Sequence, residues 1–199
     1  MHGPAGRTLP PMIRMATAGD AEAVARIYDP VVARTAISFE IEPPGPAEME
    51  RRIRQVLPFA PWLLDEREGA VRGYAYASKH RERAAYQWSV DVAVYVGEAH
   101  RKQGVGRALS AKLFRLLRLQ GFHAAHAGIT LPNAASVGLH ESLGFRLIGV
   151  YPRVGYKMGA WHDVGWWQLE LRERSGEPAP PKTTADAQRD PAWAEELAR

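Results

Sequence analysis

Arg101-Lys102-Gln103-Gly104-Val105-Gly106-Arg107 gathers three cations and two glycines directly ahead of apolar residues at helical spacing, Leu109, Leu113, Leu116 and Leu117. Glycines let a polyanion approach the backbone, and a helix start offers unpaired N–H groups and the positive end of the macrodipole. The chemistry this spacing predicts is phosphate binding. Upstream, Asp91 interrupts the apolar run of Val90, Val92, Val94 and Val96. A carboxylate there needs a partner or a purpose, and burial would raise its pKa toward that of a general base. His140 can give or take a proton near neutral pH. The chain has no Cys, which excludes disulfides, thiolate metal sites and a cysteine nucleophile.

Two better-known phosphate motifs fail on inspection. A P-loop requires Lys-Ser/Thr after its second glycine, where Arg107-Ala108 stands, and a dinucleotide fingerprint requires a small residue at the position of Leu109. His123 and His126 are spaced i, i+3 on a predicted strand with no acidic residue nearby in sequence, so no metal is expected.

The elements that must position these residues follow from periodicity and breakers. Residues 12–16 read as a strand and 21–32 as a helix that Pro30 should bend or interrupt. Residues 35–42 are extended in character, and 47–57 form a charged amphipathic helix ended by Pro58. Strands at 62–66 and 71–78 make a hairpin, followed by a strand at 88–96 and a helix at 104–120 closed by Gly121. A strand at 124–129, a helix at 133–143 closed by Gly144, and strands at 145–151 and 164–171 complete the domain. The expected class is α+β, a central mixed sheet flanked by helices. Residues 1–11 read as a disordered lead, 12–173 as the domain, and 174–199 as a Pro/Ala-rich extension unable to pack, with a short helix at 192–199.

A length of 199 residues, 46% hydrophobic with six Trp, fits one domain with a sizeable core. There is no apolar run of about 18 residues and no signal-peptide h-region, so no membrane span is expected and a cytoplasmic location is the default. A net charge of +4 and a pI near 9.5 permit contact with polyanions, but the arginines fall on helix faces without interleaved aromatics. No nucleic-acid partner is expected.

The glycine stretch resembles the acyl-CoA-binding signature of the GNAT family of N-acetyltransferases, Arg/Gln-x-x-Gly-x-Gly/Ala after a strand, here Arg101-x-x-Gly104-x-Gly106. Asn133, then Leu139-His140, then Gly144-Phe145 match the spacing of the family's Asn, Leu-Tyr and Gly-Phe pattern, with His140 where many members have Tyr. The resemblance implies the acyl-CoA N-acyltransferase fold and acetyl-CoA as co-substrate. It implies cofactor contacts from Val94, Tyr95, Val96, Arg101, Lys102, Gln103, Gly104, Val105, Gly106, Arg107 and Asn133. A strand splaying from its neighbour would leave a backbone N–H near Val94–Val96 to polarise the thioester carbonyl. His140 takes the place of the family's general acid, and Asp91 and Glu40 are the candidate bases.

Ile27-Tyr28-Asp29, Ser38-Phe39-Glu40, the run from Arg83 to Trp88, that from Gly128 to Asn133 and that from Gly155 to Val164 resemble the phosphinothricin and methionine sulfone/sulfoximine N-acetyltransferase subfamily over residues 12–172. The acceptor implied is the α-amino group of a small anionic amino acid. Phe39, Glu40, Arg83, Ala84, Ala85, Tyr86 and Lys157 would lie beside it, with Lys157 and His162 serving its anion. Direct attack in a ternary complex is the expected mechanism, and without Cys an acyl-cysteine intermediate is impossible. The alternatives are another amine as acceptor, or a non-catalytic acyl-CoA sensor. A homodimer is possible, with Trp166-Trp167 read either as its cover or as core.

Overall fold

In the computed structural model, which describes residues 12–199, the chain runs β1 (Met12–Met15), α1 (Ala21–Arg34), α2 (Gly45–Val56), β2 (Trp62–Arg67), β3 (Ala70–Lys79), β4 (Ser89–Val96), α3 (Val105–Gln120), β5 (Ala124–Leu131), α4 (Ala134–Ser142), β6 (Arg146–Lys157), β7 (Ala160–Glu170), α5 (Thr184–Ala187) and α6 (Pro191–Ala198). As far as β7 this is the predicted order. The expected lead at 1–11 lies outside the described residues.

The strands form one seven-stranded sheet in the order β1-β2-β3-β4-β5-β7-β6. Every pair is antiparallel except β4·β5. Parallel neighbours need a crossover, and α3 supplies it. Its buried Leu109, Leu113, Leu116 and Leu117 pack with Ala75, Ala77, Val90, Ala125 and Ala127 on one face of the sheet. Burying each such leucine stabilises by about 1.5–3 kcal/mol, and the alanines beneath let the helix lie close. On the opposite face Val24, Tyr28 and Val32 of α1 and Met49 and Ile53 of α2 pack with Trp62, Leu64 and Tyr74. The sheet therefore has a cofactor-loop side, carrying α3, and an α1/α2 side.

Three expectations need correction. Helix α1 continues through Pro30 to Arg34. The bond that Pro30 removes would have been to the carbonyl of exposed Arg26, while Tyr28, Val31 and Val32 are buried and hold the helix across the proline. The segment 35–42 is a series of bends, not an extended strand. Strands β6 and β7 run much further than predicted and close in a turn at Met158 (φ 53°) and Gly159 (φ 79°), with Tyr156 paired across to Trp161. Two successive residues at positive φ suit the twist of a tight hairpin, but the Met at the first hides the signal.

The C-terminal residues also pack, against expectation. Trp193, Ala187 and Glu196 are buried. Lys112 Nζ donates to the Leu197 carbonyl at 2.8 Å, Arg115 pairs with Glu196, and Gln120 Nε2 reaches the Phe59 and Lys182 carbonyls at 2.9 and 3.0 Å. Average composition concealed two anchors, Trp193 and Ala187, which complete the core over α3. Trp193→Ala should cost about 3–5 kcal/mol of stability, the range for a buried aromatic truncated in a core. Urea unfolding followed by circular dichroism measures it. An unchanged midpoint would mean that α6 does not contribute to the core.

Candidate active site

Strand β4 pairs with β5 only through Ser89, Val90 and Asp91, opposite Ala124, Ala125 and His126. Beyond Asp91 the strands part: β4 stays with β3, and β5 continues with β7 as far as Leu131. The Gly97 N–H donates to the Arg72 carbonyl of β3 at 2.9 Å. Alternation along the strand then turns the N–H groups of Val96 and Val94 away from β3, toward the gap. The gap is a cleft lined by Val92, Val94, Ala127, Ile129, Asn133 and His140. The N–H groups of Val94 and Val96 thus face a gap that exists because the neighbouring strand has left.

Asp91 sits at the closed end of this cleft. Its Oδ1 accepts from His80 Nδ1 at 2.6 Å. Burial pushes its carboxyl above the usual carboxylate range, and the His80 bond only partly offsets that. Glu40 is the opposite case. Arg52 grips it with two bonds, at 2.7 and 2.9 Å, and the Tyr28 hydroxyl, itself pushed up to about 12 by burial, donates to its Oε1 at 2.7 Å. The Arg52 guanidinium, followed by the Tyr28 bond, holds the Glu40 carboxyl below its usual range. Both carboxylates face the α1/α2 side, where half-buried Tyr76 feels Arg52, Glu40 and Asp91 together. Of the two candidate bases, burial raises the proton affinity of Asp91, whereas Arg52 and Tyr28 hold Glu40 as an anion.

The loop 35–44 that carries Glu40 is held from β6. Lys157, buried, spends two of its N–H groups on the Val32 and Ser38 carbonyls, at 2.7 and 2.8 Å. This corrects the expectation that Lys157 meets the substrate anion: it is the tether between α1, the loop and β6. The Phe39 ring lies against Gly155 so closely that a Cβ there would fall 2.1 Å from a ring carbon. His162 Nε2–H donates to the Lys157 carbonyl at 3.0 Å. The segment Arg83–Tyr86 is exposed, and the Tyr86 ring stands edge-on to His80 at 5.9 Å, which brings this segment beside Asp91.

At the cofactor loop, Lys102 (φ 59°) and Gly104 (φ 82°) adopt left-handed conformations just before α3, and Arg101 and Lys102 are exposed there. Gln103 Nε2 donates to the Ala99 carbonyl at 2.9 Å. Arg107 points to Ser142 Oγ at 2.7 Å, so it ties α3 to α4 instead of facing an anion. The Tyr95 ring lies on the α1/α2 side against Tyr28 and Tyr74, and only its backbone runs along the cleft. Asn133 caps α4, its Oδ1 accepting from the Ser136 N–H at 3.1 Å. His140 is buried, with Nδ1 at 2.8 Å from the Ser136 carbonyl and its ring edge-on to Phe145. A carbonyl only accepts, so Nδ1 carries the proton and Nε2 is a bare lone pair. Burial lowers the pKa, and neutral His140 has no proton to donate at Nε2.

An acetyltransferase (GNAT) domain model matches residues 13–166 of this sequence. The chain belongs to the GNAT acetyltransferase family. As a GNAT enzyme it is an acetyl-CoA-dependent acetyltransferase, and the transfer needs no metal. It is 40% identical to a phosphinothricin N-acetyltransferase of Streptomyces viridochromogenes over 87% of this chain and 92% of that one. It is 36% identical to an L-methionine sulfoximine/L-methionine sulfone acetyltransferase of Salmonella typhimurium, over 82% and 96% respectively. Among solved structures, a GNAT superfamily phosphinothricin acetyltransferase from Sinorhizobium meliloti in complex with AcCoA superposes with a TM-score of 0.82, at 33% identity, over 86% of this chain and 94% of that one.

Within this GNAT site, sequence reasoning missed His80, Arg52 and Tyr28 as partners of the two carboxylates. Tyr28 and Arg52 each lie 12 residues from Glu40, and His80 lies 11 from Asp91. Nor did it bring His126 together with Asp91 and His80, which are its neighbours in the structure. The Phe39–Gly155 contact gives a direct test of how the acceptor loop is held. Gly155→Ala must displace the ring, so kcat/KM for the acceptor amine should fall at least tenfold while KM for acetyl-CoA stays within about twofold. Steady-state kinetics with each substrate varied in turn measures both, and an equal loss for the two would show a general unfolding instead.

Proposed function

We propose that this enzyme acetylates the α-amino group of a small anionic amino acid or analogue, of the phosphinothricin or methionine sulfone/sulfoximine kind, by direct attack within a ternary complex. The observation that carries the mechanism is the pair of carboxylates on the α1/α2 side whose environments push them apart, Asp91 upward and Glu40 downward. The acceptor class is supported by the names of the relatives and by the exposed Arg83 beside the site, which suits a carboxylate or phosphinate. Acetyl-CoA as co-substrate fits a cytoplasmic place of action.

In this mechanism Asp91 takes the proton from the acceptor ammonium, directly or through one water. The neutral amine attacks the acetyl carbonyl. The C–N bond forms while the Val94 or Val96 N–H holds the developing oxyanion, then the C–S bond breaks and CoA leaves as thiolate, to be protonated by solvent. The amide nitrogen loses its remaining surplus proton to solvent. Glu40, fixed as an anion by Arg52, orients the ammonium. His140 we assign to the wall of the cleft, since its neutral tautomer has nothing to donate.

The outer edge of the sheet supports a homodimer. Strand β6 is terminal, and Leu147, Ile148, Val154 and Tyr156 on it are 51–58% exposed. A long apolar edge of this kind demands a cover. Analytical ultracentrifugation should give twice the chain mass, and Ile148→Lys should return it to one; a monomeric parent chain at micromolar concentration removes this reading.

Product formation from acetyl-CoA with phosphinothricin or methionine sulfone, against a blank without acceptor, tests the acceptor class, and no acceptor-dependent product would end it. Asp91→Asn should cost at least about 100-fold in kcat. In the parent enzyme kcat/KM should fall as pH drops through the raised Asp91 pKa, so the acid limb should lie above the ordinary value of 3.8. Glu40→Gln should act mainly on the acceptor KM. An Asp91→Asn enzyme within tenfold of the parent would move the base elsewhere.

A further inference from the structure

His80, Asp91 and His126 bring two imidazole nitrogens and a carboxylate oxygen within 4.8 Å of one another. Three elements assemble them. The parallel ladder sets Asp91 of β4 directly across from His126 of β5. His80, leaving β3, folds over both, bonded to Asp91 and stacked on the His126 ring at 4.2 Å and 18°. His126 is 8% exposed, and its Nδ1 is buried without a hydrogen-bond partner among the described residues. Leaving that nitrogen bare costs free energy that a ligand would recover. The cluster opens to a cavity of about 190 Å³ lined by His80, Arg81, His126, Gly149, Tyr151 and Trp166.

We propose that His80, Asp91 and His126 form a binding site for one borderline divalent cation, of which Zn²⁺ is the type, and that its occupation inhibits transfer by engaging Asp91. Two imidazoles and one carboxylate select Zn²⁺, Ni²⁺, Co²⁺ or Cu²⁺ over Mg²⁺ and Ca²⁺, which prefer oxygen. Metal–ligand bonds of about 2.0–2.2 Å in a tetrahedron place donor atoms about 3.4 Å apart. The 2.6 Å contact between His80 and Asp91 must therefore open and the widest separation must close. Side-chain rotation of His80 and Asp91 accomplishes both, the His80 Nδ1 proton moving to Nε2. The cavity supplies an entry path and room for a water as fourth ligand.

The charged and titratable groups facing the cluster are Arg81, which acts on Asp91 and lies 5.8 Å above the Trp166 ring, Tyr86, edge-on to His80, Tyr76, which feels Asp91, and Arg174, which acts on His126. Arg81 opposes a cation; it is exposed, and its guanidinium, which donates to the His80 carbonyl at 2.7 Å, would have to turn to solvent. Binding stands on the cluster alone; inhibition rests on the reading of Asp91 as base.

The test uses the full chain without added histidines. Isothermal titration with ZnCl₂, with neither acetyl-CoA nor acceptor present, should show one site, weakened at least tenfold in His126→Val and in Asp91→Asn. Ni²⁺ should quench tryptophan fluorescence through the neighbouring Trp166, and His126→Val should abolish the quenching. Followed by mass spectrometry of the acetylated product, because free CoA thiol itself binds zinc, His126→Val should retain activity and lose sensitivity to Zn²⁺. Binding unaltered by these substitutions, or none at 100 µM zinc, overturns the site; binding without inhibition overturns the second half of the proposal. A parent chain that binds zinc at the cluster but acetylates no amino acid sinks the acceptor reading and leaves the site standing.

Discussion

The departure of β5 from β4 after Asp91 is the constraint on which the rest of the site depends. It is the parallel junction of the sheet, and a parallel junction obliges the chain to cross over by a helix. Because that helix, α3, starts at the end of β4, the glycine loop arrives at the mouth of the cleft. Because β5 has turned toward β7, Val94 and Val96 keep their N–H groups for a ligand. Because the ladder ends at Asp91, a half-buried carboxylate stands at the apex, hydrogen-bonded by His80 and acted on by Arg81. The position of the glycine loop, the unpaired strand edge and the placement of Asp91 are thus three results of one break in strand pairing.

The acceptor side follows a different logic, in which charge is immobilised by overdetermination. Glu40 is bonded by Arg52 and Tyr28, and its loop is fastened by Lys157 and wedged by Phe39 on Gly155. A buried ammonium is costly unless its donors are satisfied, and here two carbonyls from separate segments satisfy it. Removing that lysine would release α1, the loop and β6 from one another at once. The arrangement commits a buried cation to holding the loop in place.

Elements and their order were legible wherever local signals agreed. Alternation gave β2–β4, helical spacing gave α3, and Gly121 marked its end at φ 98°. Asp91 was legible because a carboxylate among valines contradicts its surroundings. What stayed hidden is nonlocal. Nothing around Lys157 says that its partners lie at Val32 and Ser38, and nothing around His126 says that a parallel ladder will set Asp91 across from it. The tail misled because its Pro and Ala content outweighs, on average, the single Trp193 that decides its fate. His140 was legible in position but not in protonation, which depends on the Ser136 carbonyl and on burial.

The cleft between β4 and β5 is an unpaired strand edge placed in the middle of a sheet. An inner edge of this kind accepts an extended chain bearing amides as readily as an outer one does. A ligand lying there would act as a missing half-strand, joining the β1–β4 part of the sheet to the β5–β7 part. Its binding energy then adds to the cohesion of the fold, in proportion to the logarithm of its concentration over its dissociation constant. The resistance of this protein to unfolding and proteolysis would therefore rise and fall with the supply of its own co-substrate, making the enzyme's lifetime a readout of acetyl supply.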